Sequence, residues 1–476
     1  MSAALKMAMT MATNEQCGLQ AVPTLIVGLG QTGLSCARFL ARCGVPFAVT
    51  DSRDQPPAID VLRAEQPDIA ISVGGFDAAL FDWAQRLVVS PGVSLNEPLI
   101  VAARQRGVEI VGDIDLFARV AKAPIAAITG ANGKSTVTLL LAEMVKAAGK
   151  VARVGGNIGT PALDLLEDAL LTNKEPDCYV LELSSFQLDT THSLHAAAAV
   201  VLNVSPDHMD RYADLAQYTA SKQSIFNVPD VAVGQPGVAV INRDDPLVAV
   251  MSTCGRRVVS FGLDAPSDDN FGRVLHEGQY WLARGDQRLL PVNELRIAGE
   301  HNQANALAAL ALGDSIGLPM SSMLDALKAF TGLPHRVQFV AEAEGVTWLN
   351  DSKGTNVGAT LAAIQGLTGP IVLIAGGQGK GADFSLLREP VREKVRAVIL
   401  LGEDAALIET ALAGVVPVQH VADMASAVKQ AQTLAQPGDK VLLSPACASF
   451  DMFKGFADRG EIFMAAVRDA ISGGAR

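Results

Sequence analysis

Two glycine-rich stretches have the residue types and spacing of phosphate-binding loops, and the string TGANGKST is the more specific of the two. Its Gly130 and Gly133 would let the backbone approach a phosphate, and Lys134 would reach the β and γ oxygens. Ser135 or Thr136 would coordinate Mg²⁺. The loop departs from the strict Walker pattern because Ile128 stands where that pattern has its first glycine. ATP is the ligand that this stretch predicts.

The second stretch, GLGQTG at residues 28–33, fits the pattern G-x-G-x-x-G after a strand and before a helix. In that geometry backbone N–H groups and the helix N-terminus receive a pyrophosphate, and Asp51 at the end of the next strand would meet a sugar hydroxyl. A dinucleotide site and a UDP site predict the same loop, and a tight structural turn is the remaining alternative. The pattern alone therefore leaves the ligand open.

Polar side chains also follow predicted strands in the middle of the chain. Glu182 in LELSSF and His208 in SPDHMDRY come after successive strands, where each is either an ordinary polar residue or a metal ligand. Lys222 has the position of a solvated helix residue. Asn302 and Asn305 begin a helix, and they either cap it or bind a base or a ribose.

A third cluster lies at strand ends near the C-terminus. Asp351, Lys353 and Thr355 crowd a strand-to-helix turn in NDSKGTN, and Lys380 lies in the glycine loop GGQGKG. A charged turn is common at a protein surface, but such a set also suits an anionic ligand. The cluster therefore predicts a further anion site if its two loops lie together.

These residues need a scaffold of alternating strands and helices, and the sequence predicts three such runs. A length of 476 residues corresponds to about three domains, and 49% hydrophobic residues with 43 glycines favour compact α/β folds. Apolar runs that end in glycine turns predict boundaries after residue 112 and, at the Gly-Pro segment TGLPHR, after residue 332. The first 20 or so residues are expected to form a flexible extension.

The charge and apolar patterns exclude several classes of function. A formal net charge of −12 argues against a broad hold on nucleic acid or on an anionic bilayer. No stretch reaches the roughly 18 uninterrupted apolar residues that a membrane span needs. Six cysteines without a CxxC pair predict free thiols in a reducing cytoplasm. We therefore expect a soluble cytoplasmic protein that binds phosphate only at local sites.

In chain order the motifs resemble the Mur ligases over essentially all of the sequence beyond that N-terminal extension. The strings that carry the resemblance are GLGQTG, TGANGKST, ELSSFQL, NVSPDHMDRY, GEHNQANA, LPHR, NDSKGTN and SPACASFDMFKGFADRG. The phosphate loop alone indicates the wider family, whereas the last string resembles the branch that adds D-glutamate. The resemblance implies an α/β protein of three domains: a Rossmann-like UDP-binding N-terminal domain at 1–112, a central P-loop ATPase-like domain at 113–332 and a Rossmann-like amino-acid-binding C-terminal domain at 333–476.

The resemblance also implies a reaction. ATP would phosphorylate the L-alanyl carboxylate of UDP-N-acetylmuramoyl-L-alanine, and the amine of D-glutamate would attack the acyl phosphate to give an amide, ADP and phosphate. This step of peptidoglycan precursor synthesis is expected of a cytoplasmic monomer that uses two Mg²⁺ ions and has no nucleic-acid or membrane partner. The alternative is a related Mur ligase, or a ligase of the folylpolyglutamate synthase type, with another amino-acid acceptor.

By the same resemblance, residues of this sequence are assigned to ligands. The residues expected to act in catalysis are Lys134, Glu182, His208 and Lys222. Those expected around ATP are Gly130, Asn132, Gly133, Lys134, Ser135, Thr136, Asn302, Asn305, Arg336 and Asp351. Those expected around the UDP-sugar are Gly30, Gln31, Thr32, Gly33, Asp51, Ser52, Arg53, Asn157 and Ser184. Those expected around D-glutamate are Lys353, Thr355, Lys380, Ser449, Phe450 and Phe456. The metal ligands would be Ser135, Glu182, His208 and a carbamylated Lys222, because carbamylation turns the amine into an anion.

Overall fold

The computed structural model describes residues 19–172, 174–207, 211–228, 236–297 and 299–473. Two compact units divide the chain: residues 1–291 with 305–327, and residues 292–304 with 328–476. Within the described ranges the first unit holds a five-stranded and a nine-stranded sheet, and the second unit holds a six-stranded sheet. The expected α/β architecture on three sheets is confirmed.

The five-stranded sheet is parallel and carries the first glycine loop. Its strands are β1 (Thr24–Val27), β2 (Phe47–Asp51), β3 (Ile71–Val73), β4 (Arg86–Val89) and β5 (Glu109–Val111), in the spatial order β3-β2-β1-β4-β5. The helices between them are α1 (Gln31–Arg42), α2 (Ile59–Glu65), α3 (Ala78–Trp83) and α4 (Pro98–Gln105). The strand order reverses between β1 and β4, which is where ligands bind in open α/β sheets.

The nine-stranded sheet carries the second glycine loop. Its strands are β6 (Ile125–Thr129), β7 (Ala152–Gly156), β8 (Cys178–Glu182), β9 (Ala198–Val201), β10 (Val238–Asn242), β11 (Arg257–Phe261), β12 (Phe271–His276), β13 (Gln279–Arg284) and β14 (Gln287–Pro291). The spatial order is β14-β13-β12-β11-β10-β9-β6-β8-β7. Strand β13 pairs antiparallel with β12 and with β14, and the neighbouring strands from β11 to β7 in this order pair in parallel.

The helices of this central region follow the expected alternation with the strands. They are α5 (Asp113–Ala118), α6 (Lys134–Ala147), α7 (Ala162–Thr172), α8 (Ser185–Leu188), α9 (Leu215–Gln223), α10 (Pro246–Ala249), α11 (Glu300–Ser315) and α12 (Met320–Ala329). One buried apolar cluster runs from Ile26 and Val49 of the first sheet to Ala127 and Tyr179 of the second. Because they share this core, the first two sheets form one unit.

The six-stranded sheet brings three polar loops to one edge. Its strands are β15 (Gln338–Ala343), β16 (Val346–Asn350), β17 (Ile371–Ala375), β18 (Val395–Leu400), β19 (Val418–His420) and β20 (Lys440–Leu443), in the order β15-β16-β20-β17-β18-β19. Its helices are α13 (Val357–Gly366), α14 (Arg388–Lys394), α15 (Ala405–Leu412), α16 (Met424–Leu434) and α17 (Phe456–Gly473). Since β16, β20 and β17 are adjacent and parallel, the loops that follow them lie side by side. Of the helices in the described ranges, none combines the length and the apolar composition needed to cross a bilayer.

Among the five cysteines that the structure describes, one departs from expectation; Cys17 lies outside the described residues. Four of them, Cys36, Cys178, Cys254 and Cys447, have free thiols. Cys43 is disulfide-bonded, so the expectation of free thiols is wrong for that residue. Pairing depends on which sulfurs the fold brings together, and sequence spacing alone does not reveal this.

Candidate functional site

The phosphate loop joins the carboxyl end of β6 to the N-terminus of α6. Gly130 and Gly133 have φ values of +155° and +85°, which side chains of L residues rarely adopt. A Cβ at Gly133 would also collide with Oδ1 of Asn305, so the loop fits against α11 only with glycine there. Nζ of Lys134 donates to the carbonyl oxygens of Gly130 at 2.8 Å and Ala131 at 3.0 Å. The structure therefore brings the glycines, the lysine and Asn305 together.

A residue that the sequence analysis missed, Asn203, holds this loop from the neighbouring strand. It follows β9, which pairs in parallel with β6. Its Oδ1 accepts from the N–H of Asn132 at 2.8 Å, and its Nδ2 donates to the carbonyl oxygen of Asn132 at 3.1 Å. Its own carbonyl oxygen accepts from the N–H of Ala131 at 3.0 Å. The signal available in the sequence was the position of this amide near the carboxyl end of a predicted strand, residues 198–204.

The predicted amide pair Asn302 and Asn305 lies near the start of α11. This helix begins at Glu300, so neither amide is its N-cap residue. Asn305 is buried beside Gly133, and the N–H of Asn302 donates to the carbonyl oxygen of Gly299 at 3.1 Å. Asn305 therefore packs against the phosphate loop.

Glu182 lies at the carboxyl end of β8, next to β6, and is a candidate metal ligand. Its side chain is 3% exposed, and its Oε1 accepts from Nδ2 of Asn157 at 2.8 Å. Its buried Oε2 has no hydrogen-bond partner among the described residues. Such an oxygen is costly to bury unless a cation or a water molecule satisfies it. Mg²⁺ prefers oxygen ligands and fits this carboxylate, and the buried hydroxyl residue Ser135 at the start of α6 is a second oxygen donor.

Two further residues, His208 and Lys222, are predicted metal ligands. His208 lies outside the described residues. Within the described ranges no three His, Cys, Asp or Glu side chains are grouped so as to hold a metal ion.

Lys222 is not the solvated helix residue that its sequence position suggests. Its side chain is 1% exposed, Nζ donates to the carbonyl oxygen of Gly130 at 3.1 Å, and Nζ lies 4.4 Å from the centroid of the Tyr218 ring. Burial first, and then the charge of Lys134, lower the pKa of Lys222 from 10.5 to about 7. Both lysines donate to the same oxygen of Gly130, so a neutral or modified Lys222 relieves their repulsion.

The first glycine loop runs from the carboxyl end of β1 into α1. A Cβ at Gly33 would collide with the carbonyl oxygen of Gly28, so the strand end and the helix start meet only because residue 33 is glycine. Asp51, at the end of β2, accepts from the N–H of Leu29 at 2.6 Å and from Nε and Nη2 of Arg53 at 2.9 and 2.7 Å. Burial opposes ionisation of Asp51, but Arg53 and Leu29 outweigh it and lower the pKa of the carboxyl. The predicted UDP residues at this edge are Gly30, Gln31, Thr32, Gly33, Asp51, Ser52 and Arg53.

The two remaining predicted sugar contacts, Asn157 and Ser184, lie beside Glu182. The N–H of Asn157 donates to the carbonyl oxygen of Glu182 at 2.8 Å. Ser184 caps α8, because its Oγ accepts from the N–H of Gln187 at 3.2 Å. Nε2 of Gln187 in turn donates to Oδ2 of Asp113 at 3.1 Å. Ser184 therefore has a structural role that the sequence analysis did not assign.

In the second unit, Asp351 is buried where β16 meets β20. Its Oδ2 accepts from Oγ of Ser444 at 2.7 Å, and its Oδ1 accepts from the N–H of Val337 at 3.2 Å. Burial raises the pKa of Asp351 to about 7, against the opposing effects of Ser444 and of the charge of Arg336. Arg336 is therefore close enough to act on this carboxyl electrostatically.

The predicted D-glutamate residues lie on the three loops at the edge of the six-stranded sheet. Nζ of Lys353 is 3.8 Å from the centroid of the Phe456 ring, and the N–H of Thr355 donates to the carbonyl oxygen of Lys353 at 2.8 Å. Two backbone hydrogen bonds between residues 378 and 448 join the loop that holds Lys380 to the loop that holds Ser449 and Phe450. Ser449 is buried, whereas Lys380 is exposed and Phe450 is 67% exposed.

Arg459, which the sequence analysis also missed, ties these loops together from below. Nε donates to Oγ of Ser352 at 3.0 Å, and Nη2 donates to the carbonyl oxygens of Ser352 at 2.9 Å and Cys447 at 3.2 Å. Nη1 lies 3.5 Å from the carbonyl oxygens of Gly376 and Ala448. Burial lowers the pKa of Arg459 to about 10. Its only sequence signal was its place in the string FADRG.

Comparison with protein families gives three matches in chain order. The MurD-like N-terminal domain of Mur ligases matches residues 23–112, the Mur ligase middle domain matches residues 128–313, and the glutamate ligase domain of Mur ligases matches residues 335–447. The three matches fall on the three sheets.

Among curated relatives, the UDP-N-acetylmuramoylalanine--D-glutamate ligase of Nitrosococcus oceani is 54% identical over 454 residues, which cover 95% of this chain and 98% of that protein. The protein of the same name from Pseudomonas aeruginosa is 54% identical over 453 residues, which cover 94% and 97%. Among solved structures, the UDP-N-acetylmuramate-alanine ligase MurC of Thermotoga maritima has a TM-score of 0.56 at 18% identity, over 94% of this chain and 100% of that chain. The Mycobacterium tuberculosis folylpolyglutamate synthase has a TM-score of 0.56 at 16% identity, over 72% and 91%. At these identities the two structures show a common fold only.

Proposed function

This chain belongs to the Mur ligase family, and from that premise we propose how its sites divide the work of one ligation. It is an ATP-dependent ligase that joins D-glutamate to UDP-N-acetylmuramoyl-L-alanine in peptidoglycan precursor synthesis. The observation that carries the chemistry is the phosphate loop with Lys134, which stands one strand away from the buried, half-partnered carboxylate of Glu182.

The reaction brings two anions together. A carboxylate oxygen of the L-alanyl group attacks the γ-phosphorus of ATP and ADP leaves; the amine of D-glutamate then attacks the carbonyl carbon, phosphate leaves, and the nitrogen loses a proton. We propose that Lys134 lies against the transferring phosphoryl group and offsets the charge that would otherwise repel the carboxylate. Mg²⁺, for which Ser135 and Glu182 offer oxygen ligands, supplies further charge neutralisation when bound.

We propose that Lys222 is carbamylated and, with His208, offers ligands to a second Mg²⁺. Carbamylation adds CO₂ to an unprotonated amine, and a pKa of about 7 keeps a large share of Lys222 unprotonated at neutral pH. The modification also replaces a cation that repels Lys134 by an anion that attracts it. Burial of Lys222 beside the phosphate loop therefore supports the modification.

The UDP-sugar is proposed to bind along the edge shared by the first two sheets. The N–H groups of Gly30 to Gly33 would receive the diphosphate, and Asp51 and Arg53 would contact the nucleoside. Asn157 and Ser184, beside Glu182, would contact the sugar-peptide part. The reacting carboxylate would then lie on the side of the metal ligand.

D-glutamate is proposed to bind at the edge of the six-stranded sheet. The ammonium groups of Lys353 and Lys380 would meet its carboxylates, and the hydroxyls of Thr355 and Ser449 would donate to them. The Phe456 ring holds the Lys353 ammonium in place, and Phe450 is proposed as a further contact. The assignment of Arg336 and Asp351 to ATP rests on the family resemblance alone.

We further propose that the domain boundaries lie after residues 112 and 332. The protein is proposed to be a monomer, and it is proposed to act in the cytoplasm, where ATP and the nucleotide sugar are made.

The test is phosphate release from ATP in the presence of UDP-N-acetylmuramoyl-L-alanine and one amino acid at a time. We expect turnover with D-glutamate and none with L-glutamate or a diamino acid, and we expect Lys134→Ala to abolish it. Strong release with L-glutamate or a diamino acid and none with D-glutamate would refute the assignment. Incubation with ¹³C-bicarbonate tests the modification: a carbamate carbon signal should appear in the wild type and be absent from Lys222→Met.

A further inference from the structure

The guanidinium of Arg211 joins the turn after β4 to the nine-stranded sheet, which is called the central sheet below. Nη1 of Arg211 donates to the carbonyl oxygen of Gly92 at 3.1 Å, and Nη2 donates to that of Val93 at 2.8 Å and lies 3.4 Å from that of Pro91. The guanidinium carbon is 4.5 Å from the centroid of the Phe186 ring. Arg211 thus contacts three consecutive backbone carbonyls of the turn after β4 and, on its other side, the Phe186 ring of α8.

The turn that Arg211 fastens is packed against the first glycine loop. Oγ of Ser90 donates to the carbonyl oxygen of Gly28 at 2.8 Å, and the N–H of Val93 donates to the carbonyl oxygen of Ser90 at 2.9 Å to close the turn. A Cβ at Gly28 would lie 2.9 Å from Cβ of Ser90. Since β1 and β4 flank the point where the strand order reverses, this turn and the proposed diphosphate loop form one packed unit.

The other partner of Arg211 belongs to the opposite end of the same proposed site. Phe186 is in α8, which Ser184 caps and which begins directly after the segment that carries Glu182. Arg211 therefore links the loop proposed for the UDP end of the substrate to the residues proposed for its sugar-peptide end.

Arg211 also lies on the wall of a cavity of about 340 Å³. Residues 94–96, which follow the turn, and Asp189 and His192, which follow α8, line the same cavity. The planar fork of the guanidinium reaches several carbonyl oxygens of the turn at once, which a single ammonium would not.

We propose that Arg211 is a positioning residue that sets the register between the two halves of the UDP-sugar site. The inference rests on the proposed function, because register matters only if one ligand spans both halves. Substitution of Arg211 should weaken the binding of a ligand that extends to the central sheet. The affinity for UDP by itself should not change, since UDP would occupy only the first sheet.

The test compares Arg211→Met with a control that breaks another contact between the same two sheets. Arg42, at the far end of α1 from the glycine loop, pairs with Glu167 of α7, so Arg42→Met weakens the same docking away from the site. Full-length wild type and both variants are measured by thermal unfolding, by steady-state kinetics and by calorimetric titration with UDP and with UDP-N-acetylmuramoyl-L-alanine. Arg211→Lys is added because its single ammonium keeps the charge without the fork.

For Arg211→Met we expect the KM and the Kd for UDP-N-acetylmuramoyl-L-alanine to rise about tenfold, which corresponds to about 1.4 kcal/mol. The Kd for UDP and the KM for ATP should stay within about twofold of wild type, and Arg211→Lys should not restore the lost affinity. Arg42→Met should lower the unfolding temperature without changing either constant for the nucleotide sugar.

Three results would overturn the inference: equal changes in Arg211→Met and Arg42→Met, an equal loss of UDP affinity, or wild-type constants in Arg211→Lys. These outcomes are separable from failure of the proposed function. A wild-type protein that does not use D-glutamate refutes the function, whereas an active wild type with an unaffected Arg211→Met refutes only the role of Arg211.

Discussion

The free energy of unfolding should depend on pH through Lys222, because its buried amine gives up a proton that the unfolded chain retains. The pKa of Lys222 is lowered from 10.5 to about 7 by burial and by the charge of Lys134. Between about pH 7 and pH 10.5 the unfolded chain therefore binds more protons than the folded protein, and stability rises with pH. Linkage with these two pKa values gives a rise of about 1.5 kcal/mol from roughly pH 7.0 to 8.5.

Lys222→Met removes this titration while keeping an unbranched apolar stem in the buried position. At pH 7 the variant escapes the cost of burying the amine, so we expect it to be at least as stable as wild type although inactive. Its free energy of unfolding should rise about 1.5 kcal/mol less than that of wild type over the same pH range. Lys146→Met is the matched control, because that side chain is 78% exposed on α6 and its ion pair with Glu143 is 3.6 Å long.

The assay is urea unfolding at several pH values between about 7.0 and 8.5, in buffers freed of CO₂ so that no carbamate forms on the wild type. Subtracting the free energy of unfolding of the variant from that of the wild type cancels the contributions of groups that titrate in both proteins. A wild-type slope equal to that of Lys222→Met would refute the reasoning, since the amine would then keep its proton in the folded state. A slope in Lys146→Met that also flattened would show that charge removal in general, and not burial, is the cause.

Further predictions concern the two nucleotide loops and the amino-acid site. Asn203→Ala removes two side-chain hydrogen bonds to Asn132 and should raise the KM for ATP about tenfold; an unchanged KM would show that the loop holds its shape without them. Gly33→Ala places a Cβ against a backbone oxygen of its own loop and should weaken UDP binding in calorimetry about tenfold or more, an idea that wild-type affinity would contradict. Arg459→Lys should raise the KM for D-glutamate about tenfold at unchanged KM for ATP, whereas Arg256→Lys, an equally buried arginine that also donates to backbone carbonyls, should lose stability only. If both lysine variants raised the KM for D-glutamate alike, the loop-tying role of Arg459 would be wrong.

The buried parallel strands β1, β6 and β17 could be predicted because each is an apolar run that leads into a glycine turn. In β1, β6 and β17 every residue is buried, as expected for strands covered on both faces. The edge strands β3 and β19 gave no such signal, since each has three residues and none of them is buried. Their strand conformation comes from pairing with β2 and β18, and such tertiary pairing overrides weak local preference.

Some features of the candidate site could likewise be predicted from the sequence, and others could not. The glycines of both loops were predictable because positive φ and close backbone approach demand glycine whatever surrounds them. The burial of Lys222 was not predictable, because its helix has no distinctive apolar face and contact with the phosphate loop helps to remove the amine from water. Asn203 and Arg459 were missed for the same reason: their roles consist of contacts with loops distant in sequence.

Neutral acceptors orient several cations of these sites, in a chain whose formal net charge is −12. Lys134 donates to two backbone carbonyls, Arg211 to three at the turn after β4, and Arg459 to carbonyls and a hydroxyl. A carbonyl orients a cation without cancelling its charge, whereas a carboxylate does both. Arg53, which pairs with Asp51 at 2.7 Å, is the contrasting case at the nucleoside end, where the proposed contact is to uncharged groups. Cations oriented by carbonyls are thus compatible with an acidic chain that is proposed to bind phosphate and carboxylate groups.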